Sequence, residues 1–170
     1  GGDTRQDDLL DRGTGVSTAT DPEIARLLTV GALVNDATVE TEGEQLRGQG
    51  DPTEIALLVV AVKAGLDPGA LAGRWPRRRE IPFDSKTRLM ATYHETPSGG
   101  HALLVKGAPG EILRRSPWQE GPAGRVALDE PTRARLLETN QRLARQGLRV
   151  LALAWRPDGW GDGASPSELT

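Results

Sequence analysis

Apolar positions along this chain follow two periods, and each period predicts a different kind of element. In "DPEIARLLTVGALVND", Ile24, Leu27, Leu28 and Gly31 keep the i, i+3, i+4, i+7 spacing of one helix face. Asp21 is a fitting N-cap there, and Pro22 takes the first helical position. "DPTEIALLVVAVKAG" repeats the device, with Ile55, Leu58, Val59 and Val62 as its stripe and Gly65 and Pro68 as its stop. The intervening "TEGEQLRGQG" reads as a loop. A third helix is expected over "DEPTRARLLETNQRLARQG", capped by Asp129 and ended by Gly147.

The middle of the chain switches to strand periodicity. "RREIPF", "RLMATYHE" and "HALLVKG" predict strands, the last two joined through the hairpin loop "TPSGG". Leu89, Ala91 and Tyr93 fall on one face of the second. A short helix is expected at "PGEILRR", a strand at "GRVAL" and another at "LRVLALAW". Helices alternating with hairpin-linked strands predict an α+β fold, an antiparallel sheet of about six or seven strands flanked by helices. No internal repeat or low-complexity tract interrupts this pattern.

Composition narrows the function classes. At 170 residues the chain has the length of one domain with a real core. Its 26% charged and 36% hydrophobic residues are ordinary for a globular protein. A net charge of -3 argues against a general nucleic-acid binder, which needs a basic surplus. With no cysteine, disulfides, zinc–thiolate sites and thiol catalysis are excluded. No apolar run approaches the roughly 20 residues that span a bilayer, and no signal-peptide pattern opens the chain, so a soluble piece is expected. Arginine supplies all but three of the 21 basic residues, a bias that suggests a GC-rich bacterial genome.

On pattern alone the candidate residues have bland readings. Glu54 stands three residues after Asp51, the spacing of a capping box, which favours a structural role. Phe83, the single phenylalanine, follows Pro82 at a strand end and reads as core. Arg149 shares an alternating face with Leu151 and Leu153, so it needs a partner or an exit at the strand end. His94 and His101 are expected opposite one another across the hairpin, a poor metal site without clustered carboxylates. The chain contains no phosphate-binding Gly-x-x-x-x-Gly-Lys loop, no Gly-x-Ser-x-Gly elbow and no His-Glu-x-x-His motif.

Five segments in fixed order change that picture. "LVNDA" (33–37), "GDPTEIAL" (50–57), "IPFDSKTRLMATYH" (81–94), "LLVKGAPGEIL" (103–113) and "GLRVLALAWR" (147–156) resemble the nucleotide-binding domain of P-type cation-transporting ATPases. "PFDSKTRLM" followed by "VKGAP" is the specific part. The "DPTE" form resembles the branch of calcium, sodium–potassium and bacterial magnesium pumps; the His-Pro pair of heavy-metal pumps is missing.

The resemblance implies an ATP site. Phe83 would stack on adenine, Lys106 would line and close the pocket beside Gly107, and Glu54 would face the adenine amino group. Arg149 would reach the phosphates, with Arg88 and Ser85 near the phosphate tail. Two departures stand out. Many members carry arginine or glutamate where Ser85 and Lys86 stand, and the usual "KGAPE" is "KGAPG" here, its acid moved one place to Glu111. No catalytic or metal-binding residue is implied. Residues 1–20 and 157–170 would be linkers around an ATP-binding domain at 21–156. That domain would hold ATP, as Mg-ATP in the full pump, for an aspartate in a separate phosphorylation domain. Its partners would be ATP and the phosphorylation and actuator domains of the same chain, on the cytoplasmic side of a membrane it does not touch. Two alternatives remain on sequence: an interaction module of the same fold that has lost nucleotide, and a stand-alone small-molecule enzyme.

Overall fold

Five helices and eight strands are formed by the described residues, 21–42, 45–121 and 124–157, of this computed structural model. Residues 1–20 and 158–170 lie outside them; of the linkers expected at 1–20 and 157–170 only Pro157 is described, and it ends the last strand. Backbone contacts divide the chain between Leu71 and Ala72 into two compact units.

In the first unit, α1 (Pro22–Leu33) starts as its sequence predicts: Asp21 Oδ1 accepts from the Glu23 and Ile24 amides at 2.9 and 3.3 Å. Its counterpart α2 (Pro52–Lys63) is capped by Asp51, which accepts from Thr53 and Glu54. Asn35, buried between them, ties the two together. Its amide donates to Gly31 O and Glu54 O, and its Oδ1 accepts from Ala37 N at 2.9 Å. Of residues 41–50, expected as a loop, 41–42 and 45–49 belong instead to the paired strands β1 (Thr38–Glu42) and β2 (Gln45–Gln49). Polar residues dominate both strands, so backbone pairing rather than apolar alternation makes them. A short helix, α3 (Pro68–Arg74), runs across the division.

The second unit is built on a four-stranded antiparallel sheet, ordered β3 (Arg77–Asp84), β4 (Leu89–Glu95), β5 (His101–Gly107), β8 (Ala152–Pro157). One face carries the core: Leu89, Ala91, Tyr93, Leu103, Val105 and Ala154 pack with Ile112 of α4 (Pro109–Arg115). The predicted Leu89–Ala91–Tyr93 face is therefore the core face. The opposite face of the central strands, with Met90, Thr92, His94 and Leu104, is buried as well. β6 (Trp118–Gly121) and β7 (Gly124–Ala127) form a separate hairpin, and Trp155 Nε1 of β8 donates to Glu120 of β6 at 3.1 Å. Helix α5 (Glu130–Arg145) is capped by Asp129, and Gly147, at φ 79°, turns the chain away from its end.

The α+β class and antiparallel order are as expected. The strands, expected in one sheet, are divided into sets of four, two and two among the described residues. Two further expectations are corrected. His94 pairs with Ala102 and His101 with Glu95, so adjacent pleats send the two imidazoles to opposite faces. Arg149 precedes β8 rather than lying in it and is exposed, so no strand face has to accommodate its charge.

Candidate functional site

A four-residue turn, Ser85 to Arg88, joins β3 to β4 at one end of the sheet. Asp84 organises it. Its carboxylate accepts from Lys86 N at 2.8 Å, and its carbonyl accepts from Arg88 N at 2.6 Å. Arg88 has φ 54°, the left-handed region that a non-glycine residue occupies at a cost. The same end of the sheet receives the last residue of β5, Gly107, and the start of β8. Ser85, Arg88, Gly107 and the segment carrying Arg149 are thus brought together by topology.

Phe83 sits one row in from that end. Between the pairs Ile81–Ala91 and Asp84–Leu89, β3 has two residues, Pro82 and Phe83, against the single Met90 of β4. This is a β-bulge on an edge strand, where a proline is tolerated and a side chain is re-aimed. Without it, Phe83 would stand opposite Leu89 on the core face. With it, Asp84 takes that place and Phe83 is 62% exposed. The core reading of Phe83 is corrected by this geometry.

Across the sheet from the bulge, Met90 pairs with Lys106, and Lys106 with Leu153. Phe83 and Lys106 therefore share one cross-strand row, two strands apart, or about 10 Å at the usual strand spacing. Lys106 is 7% exposed, a buried strand lysine flanked in its row by Met90 and Leu153. Gly107 is required for a different reason: a Cβ there would collide with the carbonyl oxygen of Arg88. Ala108 N donates to that same oxygen at 3.1 Å, which binds the turn to the start of α4.

Glu54 belongs to the first unit. It is half-buried at the third position of α2, and its Oε2 accepts from Asp36 N at 3.3 Å. The carboxylate thus links α2 to the "LVNDA" segment, besides lying in the first turn of its own helix.

Two neighbours of these residues were given no part in the site by the sequence. Met90, the only methionine, lies between Phe83 and Lys106; the register of a hairpin looped at 96–100 pairs it with Lys106. Glu111 meets Arg88 at 3.3 Å, Arg114 at 2.6 Å and Arg115 at 3.5 Å. The hydrogen bond from Arg114, then that from Arg88 and the charges of Arg114 and Arg115, hold its carboxyl below the usual carboxylate range. Its position in "KGAPGE" was visible, its link to Arg88 was not. Among the described residues no group of three or more His, Asp or Glu stands ready for a metal ion, and no single helix is long and apolar enough to cross a membrane.

The structure is that of an α+β protein in which the candidate residues other than Glu54 lie at or near one end of an antiparallel sheet. Comparison with known families narrows the class: the model of the P-type ATPase cytoplasmic domain N matches residues 23–165, and the chain belongs to that family. It is 36% identical over 131 residues to a calcium-transporting ATPase of Listeria monocytogenes, covering 77% of this chain and 14% of that one. To a probable cation-transporting ATPase F of Mycobacterium tuberculosis it is 39% identical over 147 residues, 84% of this chain and 16% of the relative. A cation-transporting ATPase of Synechocystis is 39% identical over 134 residues, covering 78% and 14%. The chain thus spans about one-seventh of the length of these curated relatives.

Proposed function

We propose that this chain is the ATP-binding part of a P-type cation pump, and that it holds ATP for transfer of the γ-phosphoryl group to an aspartate in a separate domain. One observation carries the reading: the only phenylalanine is turned out of the core by a bulge, in the same row as a buried lysine. An exposed aromatic face is what adenine needs for stacking, and about 10 Å is a separation one nucleotide can span. Lys106 lines the pocket with its stem. Arg149, Arg88 and Ser85, at the end of the sheet, meet the phosphates; guanidinium groups suit phosphate oxygens, which they can engage in pairs. Gly107 contributes clearance. For Glu54, the resemblance alone supports a contact to the adenine amino group.

In the parent pump the nucleotide would arrive as Mg-ATP, the ion neutralising charge beside the γ-phosphate. The proposed partners are the phosphorylation and actuator domains of the same polypeptide, with this domain on the cytoplasmic side and off the membrane. Cation transport is said of the relatives and is proposed for the parent. An ATP titration followed by amide NMR tests the reading. Saturable shifts centred on Phe83, Lys106 and Arg149 support it. A folded chain without such shifts would leave the interaction module that has lost nucleotide.

A further inference from the structure

Arg88 is held at its backbone and loosely engaged at its side chain. Its N–H donates to Asp84 O and its carbonyl accepts from Ala108 N, so the direction in which the side chain leaves the turn is set. The guanidinium then meets Glu111 through one nitrogen at 3.3 Å, with the arginine side chain 59% exposed. Glu111 is 19% exposed and makes its shortest contact, 2.6 Å, with Arg114. Three guanidinium groups therefore share one carboxylate: Arg114 and Arg115 meet Oε2 at 2.6 and 3.5 Å, and Arg88 meets Oε1 at 3.3 Å, a longer contact than that of Arg114.

We propose that Glu111 is a specificity-determining residue of the nucleotide site: its carboxylate competes with nucleotide phosphate for Arg88 and limits how much the phosphate tail adds to binding. The inference rests on the reading that Arg88 serves phosphate. When phosphate oxygens arrive, Arg88 leaves a single exposed contact, and Glu111 keeps Arg114 and Arg115. The cost of that exchange is one solvent-screened ion pair. The acid at position 111 rather than 110 places this competitor at the second residue after Pro109, on the helix that starts where Ala108 binds the turn.

The experiment measures ATP and adenosine affinities by calorimetry for the 170-residue chain and for Glu111→Gln, Arg88→Ala and the double variant. Glu111→Ala is added because glutamine can still accept from Arg88. Thermal melts establish that each variant is folded. Removal of the carboxylate is expected to tighten ATP about two- to fivefold, the size of an exposed ion pair, and to leave adenosine unchanged. The gain should vanish in the Arg88→Ala background, as a coupled pair requires. If Arg88→Ala weakens ATP while neither Glu111 variant tightens it, the site stands and the competition is wrong. If Arg88→Ala leaves ATP unaffected, the phosphate role of Arg88 falls and the inference with it.

Discussion

Gly107 lies directly against the backbone of Arg88, so the last residue of β5 and the turn before β4 touch without a side chain between them. A methyl group at 107 would strike the Arg88 carbonyl oxygen and sit 3.1 Å from Leu89 Cα. Neither neighbour is a flexible side-chain tip that can swing aside. Gly107→Ala should therefore cost about 1–3 kcal/mol of stability, the usual range for overpacking. Urea denaturation measures it, and a midpoint equal to that of the unaltered chain would show that the turn relaxes freely.

Phe83 separates binding from stability. Because it is largely exposed, Phe83→Ala should alter stability by no more than about 0.5 kcal/mol, as for surface substitutions generally. Its effect on ATP should be larger, about 1–3 kcal/mol, the range for stacking of a base on an aromatic ring. Unchanged calorimetric affinity in the folded variant would place the adenine elsewhere.

Glu54→Gln tests base recognition. Glutamine retains an oxygen to accept from Asp36 N, so the link between α2 and the "LVNDA" segment survives the change. The preference for ATP over GTP should fall nevertheless, because the substituted amide presents a donor as well as an acceptor. Identical discrimination in both proteins would leave Glu54 only its structural parts, in the helix start and in the bond from Asp36 N.

His94 predicts a pH dependence of the fold. It is 1% exposed, with Nδ1 2.8 Å from Trp75 O and Nε2 2.9 Å from Thr92 Oγ1. Burial pushes its pKa below the ordinary 6.5, outweighing the raising effect of the Trp75 carbonyl. The unfolded chain then binds this proton more readily than the folded one. Stability should fall as pH drops below about 6.5 and level off below the folded-state value. In His94→Gln the decline over that window should be shallower. Parallel pH profiles of the urea midpoint would show that another group is responsible.

The isolated chain should bind ATP without consuming it. Phosphoryl transfer needs an acceptor and charge neutralisation beside the γ-phosphate, and no aspartate of this sequence stands in an Asp-Lys-Thr-Gly-Thr motif. A dissociation constant on the order of 0.1–1 mM is expected. Incubation with radiolabelled ATP should yield no acid-stable phosphoprotein. Stoichiometric labelling of an aspartate within the chain would contradict the reading.

The sequence by itself determined the elements whose signals are local. Asp21, Asp51 and Asp129 cap their helices where they were expected, because a cap bonds to amides two or three residues away. The β4–β5 hairpin and its core face were legible for the same reason: alternation and a five-residue loop define them without reference to the rest of the chain. The motifs also named candidate residues, which resemblance rather than pattern supplied. Only the tertiary structure decided what surrounds them. β7 was announced by "GRVAL", but its partner β6 and the polar hairpin β1–β2 have little apolar alternation to announce them and are defined by pairing. Phe83 is exposed because of a register shift against β4, Arg149 is free of the sheet because β8 starts three residues later, and Arg88 meets Glu111 from 23 residues away. Pairing register and long-range contact depend on partners distant along the chain, so no local period encodes them.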